Sequence, residues 1–178
     1  MSRNMNAVLA GFGGQGILFA GKIIAYAGLI EEREVSWLPS YGPEMRGGTA
    51  NCSVCLSDEP IGSPLVLNPD ALVVMNQPSM DKFEASVVEG GIVVADSSLI
   101  QSIPEMPGAQ VFALPATTMA EEAGIAGLAN VIMVGKLYAE THFCGQETLE
   151  AAMRKCVGTK HADKLPGNLK ALELGVKA

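Results

Sequence analysis

The sequence predicts an α/β fold: one domain over residues 1–178, in three layers, with a mixed sheet and a helical C-terminal third. Three observations carry this expectation. Short, continuous apolar runs, the pattern of strands buried on both faces, alternate with longer helical patterns through most of the chain. A glycine-rich turn separates the first such run from the first helix. The second and third runs are joined by too few residues for a parallel crossover.

Composition agrees and excludes several classes. A chain of 178 residues amounts to about one domain. Its 48% hydrophobic content is spread along the whole length, which excludes disorder. A formal charge of -7 removes the basic footprint that phosphate-backbone binding needs, so nucleic acid is not an expected partner. The cysteines, at 52, 55, 144 and 156, are too few and too unevenly spaced for a disulfide scaffold. No signal-peptide pattern opens the chain and no apolar run reaches the ~18 residues of a membrane span. The expectation is a cytoplasmic protein with no membrane partner.

The elements follow in order. Residues 7–10 form a first strand, 11–16 a turn, and 17–29 a nearly all-apolar helix. Ala20, Gly21, Ala25 and Gly28 give that helix a small-residue face for close packing on a sheet. Glu31, Glu32, Arg33 and Glu34 make a charged, solvated break. Strands follow at 35–38 and 49–56. Nine residues, 40–48, lie between Pro39 and Thr49, including Gly42, Pro43, Gly47 and Gly48. A parallel crossover needs about a dozen or more, so the two strands, at about 35–39 and 49–56, are expected to be antiparallel neighbours. The result is a Rossmann-like domain that departs from the doubly wound order. A turn-rich loop covers 58–64. A strand follows at 71–75, and Pro78 opens a helix at a position proline tolerates, expected to run to about Val88, with Gly90 and Gly91 ending it. Further strands are read at 92–95 and 110–114, and helices at 115–126, 130–141, 146–157 and around 169–174. No linker or repeat interrupts the chain.

Gly11, Gly13 and Gly16 satisfy G-x-G-x-x-G directly after a strand and before a helix, with Gly14 and Gln15 completing the turn. Such a loop brings backbone close to a ligand at a helix N-terminus that favours anions. A dinucleotide fingerprint also wants an acidic residue ending the second strand. Here Glu31, Glu32 and Glu34 precede that strand, and it ends on Leu38, Pro39 and Ser40. Two readings stand side by side: a ligand loop, or glycines that allow tight strand–helix packing or close approach of a partner chain. The run 16–22 imitates a Walker A loop, but Ile23 stands where a magnesium-binding hydroxyl is needed. Cys52 and Cys55 are three apart in a strand, so their thiols point to opposite faces. Cys144 and Cys156 read as small core hydrophobes, and His142 and His161 as capping or surface residues. Neither a nucleophile elbow nor H-E-x-x-H is present, and no catalytic residue or metal ligand is assigned. The segment 37–49 is the unusual one. It carries Tyr41, Gly42, Glu44, Arg46, Gly47 and Gly48 on a stiffened connection. Arg46 suits a carboxylate or phosphate, which its planar fork binds bidentately. It could equally pair with Glu44 on the surface, or serve with Tyr41 as an interface hot spot.

The 11–16 loop followed by 39–48 resembles the gamma subunit of the 2-oxoacid:ferredoxin oxidoreductases. Residues 49–54, 57–62, 130–135 and 168–175 extend the resemblance over essentially the whole chain. It implies a complex that oxidatively decarboxylates a 2-oxoacid to an acyl-CoA and CO2 while reducing ferredoxin. It further implies thiamine diphosphate with Mg²⁺ between alpha and beta subunits, and [4Fe-4S] clusters in beta or a ferredoxin-like delta subunit. CoA enters as co-substrate, and this chain alone holds no cofactor. The alpha, beta and possible delta subunits are the implied partners, with ferredoxin reached through the complex. Within that frame the 11–16 and 41–48 loops are expected to face the catalytic subunits near the CoA access path. With no fused ferredoxin-like segment, 2-oxoglutarate and branched-chain 2-oxoacids are favoured, and pyruvate stays open. The competing classes are an interaction subunit without a ligand of its own and a freestanding NAD(P)-binding domain.

Overall fold

The computed structural model describes residues 4–40 and 49–178. Among the described residues, six strands make one sheet: β1 (Met5–Phe12), β2 (Glu34–Ser40), β3 (Thr49–Ser57), β4 (Ala71–Val74), β5 (Gly91–Asp96) and β6 (Ala109–Leu114). The described residues also form six α-helices: α1 (Ile17–Ile30), α2 (Gln77–Phe83), α3 (Ala116–Glu122), α4 (Ala129–Thr141), α5 (Gln146–Val157) and α6 (Leu165–Lys177).

The strand order is β2-β3-β1-β4-β5-β6. β1, β4, β5 and β6 run parallel, and β3 runs antiparallel to both of its neighbours. The short connection therefore does make β2 and β3 antiparallel neighbours, as its length requires. What the loop length does not reveal is that β3 slots between β2 and β1, so the crossover through α1 skips one strand position. The central strands are the most apolar because they are covered on both faces. All four residues of β4 are buried, and Ala7, Leu9 and Ala10 of β1 are fully so.

Two unequal cores flank the sheet. The larger lies under α1, α4, α5 and α6, where Leu9, Ile23, Ile24, Ile132, Met133, Leu137 and Met153 are sealed from solvent. Each such side chain contributes about 1.5–3 kcal/mol relative to exposure. The smaller lies on the opposite face, where Met80 of α2 and Ile100 pack on Val8, Leu72, Val74 and Val93. Cys52, Val54 and Leu56 of β3 belong to the larger core. The Cys55 thiol instead approaches the Ser63 carbonyl on the other side, as period-two alternation demands.

Three helix boundaries differ from expectation. α2 stops at Phe83 and gives way to a 3-10 turn over Glu84–Ser86, well before Val88. Val87 is extended and packs into the smaller core, while the Val88 amide donates to the Pro69 carbonyl at 3.0 Å. Tertiary contacts of two β-branched residues thus win over helical continuation. α3 ends at Glu122 rather than 126 because the Gly124 and Ile125 amides turn back onto the Glu121 and Ala120 carbonyls, a Schellman closure. The last helix is longer than expected, and Pro166 sits in its first turn, where a missing N–H costs nothing.

α4 and α6 meet backbone to backbone. A Cβ on Gly135 would strike the Leu172 carbonyl, and one on Gly175 the Ile132 carbonyl. Neither obstacle is the end of a flexible side chain, so neither can yield without separating two helices. Gly175→Ala is expected to cost about 2–3 kcal/mol and to lower Tm by roughly 5–10 °C, measured by thermal unfolding of the purified chain.

At the amino end of the sheet, Arg33 reaches the Asp58 carboxylate at 3.0 Å and the Phe143 carbonyl at 3.1 Å. Nearby, Asp70 accepts from the Asn6 amide at 2.9 Å, and burial holds its carboxyl above the usual range. A carboxyl with a raised native pKa binds its proton more tightly when folded, so its contribution to stability falls as pH rises from the unfolded value through the native one. Asn in its place can still accept the Asn6 bond without the charge. Asp70→Asn is therefore expected to be more stable than the native chain at neutral pH, with the difference vanishing in acid. Urea unfolding at both pH values checks it.

Candidate functional site

The carboxyl ends of β1 and β4 diverge. β1 leads to α1 on the larger-core face, and β4 leads to α2 on the opposite face. This is a topological switch point, the place where open α/β sheets leave a crevice for ligands. Residues 11–16 lie at its rim.

Gln15 spans the crevice. Its Oε1 accepts from the Phe12 amide at 2.6 Å, and its Nε2 donates to the Met75 carbonyl at 3.1 Å. A Cβ on Gly11 would run into that same Gln15 amide and into Ile17. Gly16 is the N-cap of α1 at φ 74°, ψ 25°, a left-handed conformation that penalises any residue with a Cβ. It offers no side-chain cap, and the first turn of α1 holds no acidic residue. Gly13 and Gly14 are exposed on the outer flank, and nothing among the described residues crowds Gly14. Among the described residues the loop is thus braced by a glutamine, with Gly13 and Gly14 exposed, and the helix N-terminus behind it has no side-chain cap. That arrangement favours an anion.

Tyr41, Gly42, Glu44, Arg46, Gly47 and Gly48 lie outside the described residues. Their flanks do not. β2 ends at Ser40, which pairs with Asn51, and Thr49 pairs with Phe12. Ser40 and Thr49 therefore both lie at the end of the sheet that carries the glycine loop.

Several polar groups at this end escaped the sequence reading as site elements. Asn130, in the first turn of α4, donates from Nδ2 to the Gly16 carbonyl at 2.9 Å. Asn76 caps α2, its Oδ1 accepting from the Ser79 amide at 2.8 Å. Asp96, fully buried at the end of β5, accepts from the Thr117 hydroxyl at 2.6 Å and from the Thr117 and Ser98 amides. It fastens the start of α3 to the carboxyl edge of the sheet. Asp96 was legible as the end of a strand, and Asn130 as the start of a helix; Thr117 and Gly16, to which they bind, lie too far along the chain to be seen locally. The Cys52 thiol, by contrast, sits under α1, and burial pushes it up to about 12, which leaves it unreactive.

The Gln15 bridge is testable. Gln15→Glu keeps an acceptor for Phe12 but loses the donor to Met75 and sets a charge against its carbonyl. An unfolding free energy lower by about 1–3 kcal/mol is expected, recovering in acid where the substituted carboxyl regains a proton to donate; urea titration at two pH values measures it.

The chain was compared with known proteins. The ketoisovalerate oxidoreductase subunit VorA of Methanothermobacter marburgensis is 41% identical over 175 residues, which cover 97% of this chain and 36% of VorA. The chain therefore spans about a third of that relative's length. The 2-oxoglutarate synthase subunit KorC of Methanocaldococcus jannaschii is 40% identical over 163 residues, covering 88% of this chain and 87% of KorC. Among solved structures, the gamma subunit of a keto/oxoacid ferredoxin oxidoreductase from Geobacter sulfurreducens superposes with a TM-score of 0.83 at 30% identity, covering 97% of this chain and 96% of that one. Residues 6–178, from the first strand through the last helix, match the profile of the pyruvate ferredoxin/flavodoxin oxidoreductase family, and the chain belongs to it.

Proposed function

We propose that the chain is the gamma subunit of a 2-oxoacid:ferredoxin oxidoreductase, serving CoA-dependent oxidative decarboxylation to an acyl-CoA and CO2. The observation that carries this reading is full-length correspondence to a gamma subunit, 96% of that chain being covered, combined with a glycine loop at the sheet's switch point. Bond breaking belongs to companion alpha and beta subunits with thiamine diphosphate and Mg²⁺, and electrons leave through [4Fe-4S] clusters held there or in a delta subunit. This chain supplies a docking platform. Its 11–16 loop and its 41–48 segment, with Arg46, face those subunits beside the CoA path and steady an anionic part of CoA.

The substrate class follows from the relatives. Identity to a ketoisovalerate subunit and to a 2-oxoglutarate subunit is nearly equal, 41% against 40%. A domain about equally similar to subunits of both classes is not the part expected to read the substrate's side chain. The favoured substrates are 2-oxoglutarate or a branched-chain 2-oxoacid. No helix among the described residues is long and apolar enough to cross a membrane, consistent with a cytoplasmic complex.

The test is reconstitution with the thiamine-binding subunits and assay of CoA-dependent, 2-oxoacid-dependent ferredoxin reduction. Omitting this chain is expected to abolish turnover. Arg46→Ala is expected to raise KM for CoA by about tenfold, the loss of one charge-assisted contact, with assembly intact. Unchanged KM in an intact complex removes Arg46 from the CoA path. NADH binding by the isolated chain would favour a nicotinamide domain instead.

A further inference from the structure

β2 lies at one edge of the sheet, with β3 as its neighbour among the described residues. Pro39 reveals which of its backbone groups face outward. It pairs with Cys52 inside the ladder although it has no N–H to donate. Its nitrogen must therefore point away from β3. Orientation alternates along a strand, so the N–H and C=O groups of Val35 and Trp37 point away as well. No loop carbonyl among the described residues accepts from either amide.

Backbone groups at this spacing are met by another extended strand, and β2 supplies such a strand itself. In an antiparallel pair of two copies centred on Ser36, Val35 of each copy lies opposite Trp37 of the other, and the two exchange both bonds. All four outward amides of Val35 and Trp37 are thereby satisfied. Pro39 falls beyond the paired stretch. A pair centred on Trp37 would instead press the proline ring onto the Val35 carbonyl. The proline thus leaves the amino half of β2 open and fixes the register.

Charge agrees with self-pairing. The one charged residue of β2, Glu34, comes opposite Leu38 and not opposite its own copy. Two chains of net charge -7 therefore meet along a strand pair that sets no like charges against each other. Large apolar side chains also stand exposed on both flanks of this edge. On the larger-core face Lys22 lies 5.4 Å over the Trp37 ring, and Leu29, seven residues further along the same flank of α1, is 55% exposed. On the opposite face Leu38 is exposed beside its pair Ser53. The Ser53 hydroxyl accepts from the Val66 amide, and Leu65 and Leu67, on either side of Val66, are exposed too.

We propose that β2 pairs with β2 of a second copy of this chain, extending the sheet across a two-fold axis at Ser36. Such an interface uses the same patch on both copies and closes on itself. The axis sends the two glycine loops to opposite ends of the joined sheet.

The test is sedimentation of the full chain over a range of concentrations, with cysteine variants reporting the register. The native chain is expected to pass from monomer to dimer as concentration rises. Ser36 faces its own copy at a position outside the bonded pairs, where Cβ atoms are about 4.5–5.5 Å apart. Ser36→Cys is therefore expected to form an intermolecular disulfide on mild oxidation, above the background set by the native cysteines. Leu38→Cys alone is expected to give at least about tenfold less, since its opposite position is 34, and mixing it with Glu34→Cys restores the cross-link. Ser36→Lys sets like charges opposite each other and is expected to weaken the dimer about fivefold, with thermal unfolding of the diluted chain unchanged. A monomer at every concentration, equal cross-linking at 36 and 38, or oligomers that grow beyond the dimer overturns the proposal. So does cross-linking of Ser36→Cys to a companion subunit in place of a second copy. Sedimentation needs no companion subunit, so its outcome is separate from that of the ferredoxin assay.

Discussion

The pairing of β3 against β1 is the interaction on which the remainder of the architecture depends. It runs without a break from Met5 opposite Leu56 to Phe12 opposite Thr49. Among the described residues β2 has no sheet neighbour except β3, so the edge of the sheet is joined to the rest through this ladder. Because side chains alternate with period two, a slip of one residue would turn Cys52, Val54 and Leu56 out of the larger core. The same register sets Thr49 beside Phe12, at the edge of the glycine loop.

Much of this was legible because it is local. Alternation of apolar runs and helical patterns gave the strands and most helices, and the length of a single connection gave the antiparallel pair. The insertion of β3 between β2 and β1 was not legible, since nothing in a loop length says which side a returning strand takes. The end of α2 was misread because Val87 and Val88 fit a helical pattern as well as they fit an extended path. Only the smaller core and the Pro69 carbonyl decide between them. α3 did carry a stop signal in Ala123, Gly124 and Ile125, which a search for Schellman closures would have found.

The site divides the same way. Gly11 and Gly16 announce a tight strand–turn–helix because their constraint is met within a few residues. The Tyr41 to Gly48 block carried the family resemblance, and the match over residues 6–178 bears that resemblance out. Gln15, Asn130 and Asp96 do their work across distance. The Gln15 bond to Met75 spans 60 positions and the Asn130 bond to Gly16 spans 114. Such residues read from the sequence as an ordinary loop glutamine, a helix-start asparagine and a strand-end aspartate. Their polarity was visible, but Met75, Gly16 and Thr117 were supplied as partners by topology alone.

The Gln15 bridge also bears on what kind of device the loop is. A glycine-rich turn left to itself is costly to order, since each glycine surrenders more backbone freedom than any other residue. Here the Phe12 amide and the Met75 carbonyl, one on each side of the switch point, are held by a single side chain, and Asn130 fixes the Gly16 carbonyl from the other flank. Those bonds order the turn on folding, before any partner or ligand arrives. Binding then meets a surface that is already shaped and incurs little further loss of freedom. A lid that closes over substrate needs the opposite property, a segment drawn from the least stable part of the fold. Residues 11–16 are consequently a fixed platform, and any movement that accompanies assembly or turnover has to be sought elsewhere than in this turn.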